Sequence, residues 1–330
     1  MRNMRVLQRT VIALFLFSAG QSTLTASEPI SEDVRCPIGG EIFEYVHVGN
    51  SNIDRRPDGK TYGFPNAPLN LPECPENGLV LFDDFTPSEI AKLEPLIQSA
   101  AYKSLRKSDT QYYRAYWLAA QLGRDKILID NLLAQAIWEA DDNPSQRLRY
   151  LRLYADTAQK PQNDASENAL WSTLRLANAH RELGDFATAK AVLAAIILPP
   201  EPNAEPKDEW VHEQWKQSIT YVQKFATVIE RGDTSSEPLD MLPQRIAAEK
   251  CWDMRNGYSD FAKAFCGQPN IVKEMEWFSP EAQAERVAAA DAAMDAAENA
   301  VNGARASIAA DNAMAAAANA TAATDTTIPQ

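Results

Sequence analysis

The chain has 330 residues, 45% of them hydrophobic and 23% charged, and a formal net charge of −13. A surface of that sign repels phosphate backbones, so nucleic acid is excluded as a natural partner and a negatively charged membrane surface is disfavoured for the same reason. High charge of one sign also keeps an exported protein soluble.

Export is what the first residues indicate. Arg2, Arg5 and Arg9 precede an apolar run from Val11 to Ala19, and a polar stretch ends at Ala26. The run is too short for a permanent membrane helix, so residues 1–26 read as a secretory signal peptide. An uncleaved anchor is the alternative, because Leu24 is an imperfect residue three before the cut. Loss of the three arginines takes the formal charge to −16. No later apolar run approaches the ~20 residues of a spanning helix. A periplasmic or secreted chain without stable membrane insertion is therefore expected.

Residues 27–85 read as a small β head. Cys36-Pro37-Ile38-Gly39 and Cys74-Pro75-Glu76-Asn77 are two CPxC knuckles that have each lost the second cysteine. A zinc ribbon takes four soft ligands from two such turns. With two, the expectation is no structural metal and no cofactor. Outside the cytosol the remaining thiols can oxidise, and the sequence positions favour Cys36 with Cys74 and Cys251 with Cys266. The chain-entropy estimate is roughly 4 kcal/mol for the first pair and roughly 3 kcal/mol for the second, against about 10–16 kcal/mol for a structural zinc. Separately buried thiols are the other possibility. Glu41 to Val48 is rich in β-branched and aromatic residues and reads as a strand, Arg56-Pro57-Asp58-Gly59-Lys60 as a turn, and Gly78 to Phe82 as a second short strand.

From residue 86 to 245 the pattern is helical. Thr86-Pro87-Ser88-Glu89 is a capping box with proline at the first helical position, and Ile90, Leu93 and Ile97 follow at helical spacing. Helix stops recur at Leu122-Gly123, Asp141 to Pro144, Leu183-Gly184-Asp185 and Arg231-Gly232-Asp233. The stretch Trp171 to Ile196 has Ala177, Gly184, Phe186 and Ala189 where a tetratricopeptide hairpin needs small residues or a packing aromatic. An unspecialised antiparallel helix pair is the plainer alternative. A further helix from about Asp208 to Arg231 carries Trp210, Val211, Trp215, Ile219, Val222, Phe225 and Ile229 on one stripe, expected to be core.

Residues 246–278 hold the second cysteine pair. In residues 279–330 alanine supplies 22 of 52 positions, which favours a helix with little to bury. Val287, Met294, Val301 and Ile308 recur every seven residues, with Ala290, Ala297 and Ala304 three places after the first three. That is a sparse a/d heptad, open to self-association or to a lone helix. Disorder is expected past Asn319. The fold class that follows is mainly α: a small β-ribbon-like head, antiparallel helical hairpins of tetratricopeptide type, then an alanine-rich helix and a disordered end.

The order of a CPxC-like turn, the Arg-Pro-Asp-Gly turn, a second Cys-Pro knuckle, a short strand, the step Asp83-Asp84-Phe85 and then helices resembles the bacterial family "domain of unknown function 2225" over roughly residues 34–200. The resemblance implies a rubredoxin-like ribbon followed by tetratricopeptide-like hairpins, with Cys36 and Cys74 at family ligand positions and Gly39 and Asn77 where the other ligands would stand. It implies no activity.

A catalytic constellation does not stand out. His212-Glu213-Gln214-Trp215-Lys216 begins like a zinc-protease helix, but Lys216 replaces the second imidazole. The other histidines are His47 and His180. No Gly-x-Ser-x-Gly elbow or phosphate-cradling loop is present. Two readings follow. The favoured one is a non-catalytic protein that holds a protein or peptide partner, with Asn178 and Arg181, one turn apart, facing the groove or, alternatively, forming plain solvated surface. The other is an envelope hydrolase working through a carboxylate pair.

Overall fold

A computed structural model describes residues 29–49, 51–65, 67–160, 164–198, 200–202 and 209–324. The export signal expected over residues 1–26 lies outside the described residues.

Two antiparallel hairpins make up the head. β1 (Ile30–Arg35) pairs with β2 (Ile42–His47), in register from Ile30 opposite His47 to Arg35 opposite Ile42. β3 (Ser51–Arg55) pairs with β4 (Thr61–Phe64) across the Arg56–Lys60 turn. The strand expected from Glu41 is β2. The strand expected over Gly78–Phe82 does not form, and a single bridge joins Glu73 to Val80. Pro72 and Pro75 supply no N–H there, so the ladder stops after Cys74 N–H to Leu79 O and Leu81 N–H to Pro72 O.

The two Cys-Pro turns have matching backbones. Each cysteine amide donates to the carbonyl five residues on, Glu41 in one turn and Leu79 in the other, both at 2.9 Å. The fourth residue on is a glycine at positive φ in both, Gly40 at 78° and Gly78 at 71°, a region glycine enters without steric cost. Asn77 donates to Ile38 O at 2.8 Å and accepts from Leu79 N–H at 2.9 Å, which ties one turn to the other. The sulfurs of Cys36 and Cys74 lie at bonding distance, as do those of Cys251 and Cys266.

The helices are α1 (Pro87–Gln98), α2 (Ala100–Ser108), α3 (Gln111–Leu122), α4 (Lys126–Glu139), α5 (Pro144–Thr157), α6 (Glu167–Glu182), α7 (Phe186–Ala194), α8 (Glu209–Glu230), α9 (Gln244–Met254), α10 (Asp260–Cys266), α11 (Pro269–Met275) and α12 (Pro280–Thr324). Thr86 and Glu89 form both halves of the capping box, and Asp125, Asn143, Ser166 and Asp185 cap later helices with their side chains. Helical hairpins α3–α4 and α6–α7 turn at Gly123 and Gly184, and Ala177 and Ala189 are fully buried where the second pair meets.

Burial divides into four clusters. One surrounds Cys36 and Cys74 with Leu79, Leu93, Ile97, Tyr102 and Leu118, so the first knuckle pair sits directly on α1–α3. The Tyr102 hydroxyl donates to Gly78 O at 2.7 Å. A second runs through α3–α6, a third joins α6 and α7 to the C-terminal half of α8, and a fourth encloses Cys251 and Cys266. Tyr62 of β4 packs against the fourth, so the head's second hairpin reaches a different part of the helical array from the first.

Two further expectations need correction. The α8 stripe is core only in its C-terminal half: Phe225, Val228 and Ile229 are buried, but Trp210 is 70% exposed and Val211 also faces solvent. No element covers that end among the described residues. At the C-terminus, α12 runs past Asn319 to Thr324, because alanine carries the highest helix propensity and nothing in the sequence stops it.

Both staples close their loops around buried sulfur. Replacing Cys36 and Cys74 together by alanine is expected to lower the unfolding free energy by about 4 kcal/mol, and replacing Cys251 and Cys266 by about 3 kcal/mol. Urea denaturation of the purified variants checks both values, and unchanged midpoints would contradict the assignment.

Candidate functional site

The Arg56–Lys60 turn carries charge into the interior. Gly59 adopts φ 85°, which lets the turn fold tightly against Arg175 and Trp138, each 3.6 Å from where a Cβ would stand. Arg56 is 3% exposed and Asp58 5%. Arg56 Nε donates to Asp58 Oδ1 at 3.1 Å, and its Nη1 donates to Asp141 Oδ2 at 2.7 Å. Asp141 follows the end of α4. Arg147 of α5 donates to Asp141 Oδ1 at 2.7 Å, to Asp58 Oδ2 at 3.2 Å and to Glu182 Oε2 at 2.9 Å. Lys60 Nζ reaches Asp141 at 2.6 Å. One hairpin turn thereby joins the ends of α4 and α6 and the start of α5.

Asn178 and Arg181 belong to this interior and not to an open surface. They are 1% and 0% exposed. Asn178 donates to Glu182 Oε1 at 2.7 Å and accepts from Arg181 Nη2, also at 2.7 Å. Arg181 Nη1 donates to the carbonyl of Asp233. Their face of α6 is closed by the loop after α8, so neither side chain is offered to a partner.

Electrostatics matches that role. Burial alone would raise the Asp58 carboxyl, but the adjacent Arg56 guanidinium, assisted by Arg147 and the Lys60 amide, outweighs it and holds the group well below the usual carboxylate range. Asp141 is shifted the same way, with burial opposed by Arg56, Lys60 and Arg147. Carboxyls held ionised this firmly suit ion pairing and not proton donation.

Beside this network lies a groove of about 710 Å³. Its walls are the N-terminal halves of α6 and α8, with Asp54, Arg55 and Thr61 of the second hairpin along one edge. Trp171 and Tyr221 meet edge to face at 5.4 Å, and the Arg55 guanidinium stacks 4.6 Å over Trp171. Trp215, Gln214 and Gln217 line the opposite wall. The polar atoms of two rings are used internally: Trp171 Nε1 donates to Glu167 at 3.2 Å, and the Tyr221 hydroxyl donates to Arg56 O at 2.7 Å. Those rings present faces. The groove's acids, Asp54 and Glu167, accept from the Arg55 amide and from Trp171.

At the knuckles, the Glu41 carboxylate and the two sulfurs lie within 4.8 Å of one another, and both Glu41 oxygens are buried without a hydrogen-bond partner. With the sulfurs joined, that cluster offers one ligand, too few for a closed tetrahedral zinc site. His47, His180 and His212 lie on β2, α6 and α8, and each approaches a different acid: Glu32, Asp185 and Glu201. No helix among the described residues is long and apolar enough to cross a membrane. Comparison with protein-family models, curated proteins and solved structures returns no match.

Removing Asp58 takes the most buried counter-ion from Arg56 and one of three from Arg147, leaving Asp141 and Glu182 to pair with them. Asp58→Ala is expected to cost about 3–5 kcal/mol in chemical denaturation. Because Asp58 and Asp141 titrate lower folded than unfolded, they contribute stability above the ordinary value of about 3.9, and it is lost as pH falls through their folded values. Below about pH 4, unfolding free energy should therefore fall less steeply with acid in Asp58→Asn than in the unaltered chain. Equal slopes would remove Asp58 from the network's pH dependence.

Proposed function

We propose that the chain is an exported, non-catalytic binding protein that receives a protein or peptide segment in the groove between α6 and α8. The observation that carries this reading is the groove itself: about 710 Å³, open, with aromatic faces on its walls and side-chain amides beside them. An extended segment would lay apolar side chains on Trp171 and Trp215 and meet Gln214 and Gln217 with its backbone. The two disulfide-distance pairs support a periplasmic or secreted setting. The resemblance to domain of unknown function 2225, with hairpins of tetratricopeptide type, fits a helical scaffold for binding.

The hydrolase alternative draws less support. It requires two carboxyl groups set for different roles, one of them held protonated by a raised pKa. Asp58 and Asp141 are instead driven to the ionised form, and the groove's acids are engaged with their own elements.

Peptide selection against the full chain tests the proposal. Selected peptides are expected to quench tryptophan fluorescence and to bind about tenfold or more weakly to Gln214→Trp, which fills the groove from an exposed position, while its thermal midpoint stays unchanged. Peptides that bind the variant as well as the parent would place recognition elsewhere.

A further inference from the structure

α12 leaves the rest of the molecule after about two turns. Arg286 anchors its start, donating from Nη1 to Trp277 O at 2.7 Å and lying 3.9 Å over the Trp277 ring. Every residue from Val287 to Ala310 is exposed. Among them Val287 is 61%, Met294 68%, Val301 50% and Ile308 61% exposed, all on one stripe of a 45-residue helix. Long helices in proteins draw most of their stability from packing an apolar face, and this face packs on nothing else among the described residues.

We propose that this stripe docks against the same stripe of a second copy of the chain, with the two helices antiparallel. The large residues occupy position a of the heptad, and Ala290, Ala297 and Ala304 occupy position d. A parallel pair would stack large on large and alanine on alanine, so the helix spacing would have to alternate along the seam. An antiparallel pair centred near residue 298 sets Met294, Val301 and Ile308 against Ala304, Ala297 and Ala290 of the partner, which gives these central layers similar volumes and allows one close separation, and it puts Val287 opposite position 311, an aspartate, at the ends of the seam.

Charge selects the same orientation. Position e holds Asp291, Glu298 and Arg305. In an antiparallel pair centred near residue 298, Asp291 of each helix faces Arg305 of the other. The parallel alternative would rely on Arg286 opposite Asp291, and Arg286 is already committed to Trp277. Two chains of net charge −13 would also stand side by side in a parallel pair, whereas the antiparallel pair places the folded bodies at opposite ends of the seam. Glu298 meets its own copy at the two-fold axis, the like-charge contact of the register, and Asp311 opposite Val287 closes the apolar seam at each end.

Sedimentation equilibrium of the full chain is expected to show a dimer. Val301→Asp should weaken it tenfold or more with no change in the thermal midpoint of the body, and Glu298→Gln should tighten it about twofold by removing the like-charge contact. Glu298→Cys is expected to give a reducible dimer under mild oxidation, since only the antiparallel register brings that position to its copy, and Ala297→Cys is not. A monomer at concentrations up to about 100 μM, a dimer indifferent to Val301→Asp, or crosslinking through Ala297→Cys in place of Glu298→Cys would each overturn the proposal.

Discussion

Burying a guanidinium costs several kcal/mol unless it is paired and hydrogen-bonded, and Arg56, 3% exposed and surrounded by carboxylates, is the constraint on which the arrangement of the helices depends. Its partners come from distant parts of the chain: Asp58 from the same turn, Asp141 from the end of α4, and beyond them Arg147 and Glu182 from α5 and α6. A buried network of this kind adds little net stability over a well-packed apolar core, because the desolvation of each ion offsets much of the attraction. What it does impose is geometry. Moving the β3–β4 hairpin off the ends of α4–α6 would separate Arg56 and Asp58 from Asp141 and Arg147, at a cost of several kcal/mol if the ions stayed buried. The network is thus a registry device, and the groove edge formed by Asp54, Arg55 and Thr61 is positioned through it.

The knuckles solve a different problem. A ribbon of two short hairpins buries too little apolar surface to hold its shape, and small domains of this kind rely on metals or disulfides. Here matched turns persist, with Gly40 and Gly78 in equivalent left-handed conformations, while the covalent link and the Asn77 hydrogen bonds join them. The loop closed by Cys36 and Cys74 spans 38 residues and contains both the β2 strand and the whole second hairpin. A link of this sort therefore restrains the segment that carries Arg56 in the unfolded chain as well as in the folded one.

How far the sequence alone discloses the molecule follows from the range of the interactions. Local signals were sufficient for the helices: the Thr86–Glu89 box, the glycine stops and the Asp and Asn caps act within one turn of the chain, and the elements begin and end there. The Cys36–Cys74 pairing was legible from the two Cys-Pro turns, and Cys251–Cys266 from its separation of 15 residues. What was not legible depends on distant partners. Asn178 and Arg181 look like solvated surface at i and i+3, and only Asp233, from the loop after α8, turns that face inward. The Arg-Pro-Asp-Gly-Lys turn was readable as a turn, but its charges gave no sign of burial until Asp141 and Arg147 were beside them. One clue did exist. Asp141, Glu182 and Asp233 all lie at helix stops, where chain ends converge and ion pairs can span several elements.

The groove is best understood through α8, whose burial changes along its length. Its last turns are locked in the third cluster, with Phe225 and Val228 at 0% exposure, while its first turn leaves Trp210 70% exposed. A helix anchored at one end would ordinarily splay at the other. Tyr221, near the midpoint, prevents this by donating to the carbonyl of Arg56 and packing on Trp171. The aromatic walls are consequently tied to the residue that centres the ion network: the Arg56 carbonyl accepts from Tyr221, while its guanidinium binds Asp58 and Asp141. Core packing ends where the groove begins, and there the Tyr221 hydrogen bond to Arg56 joins the groove wall to the buried charges.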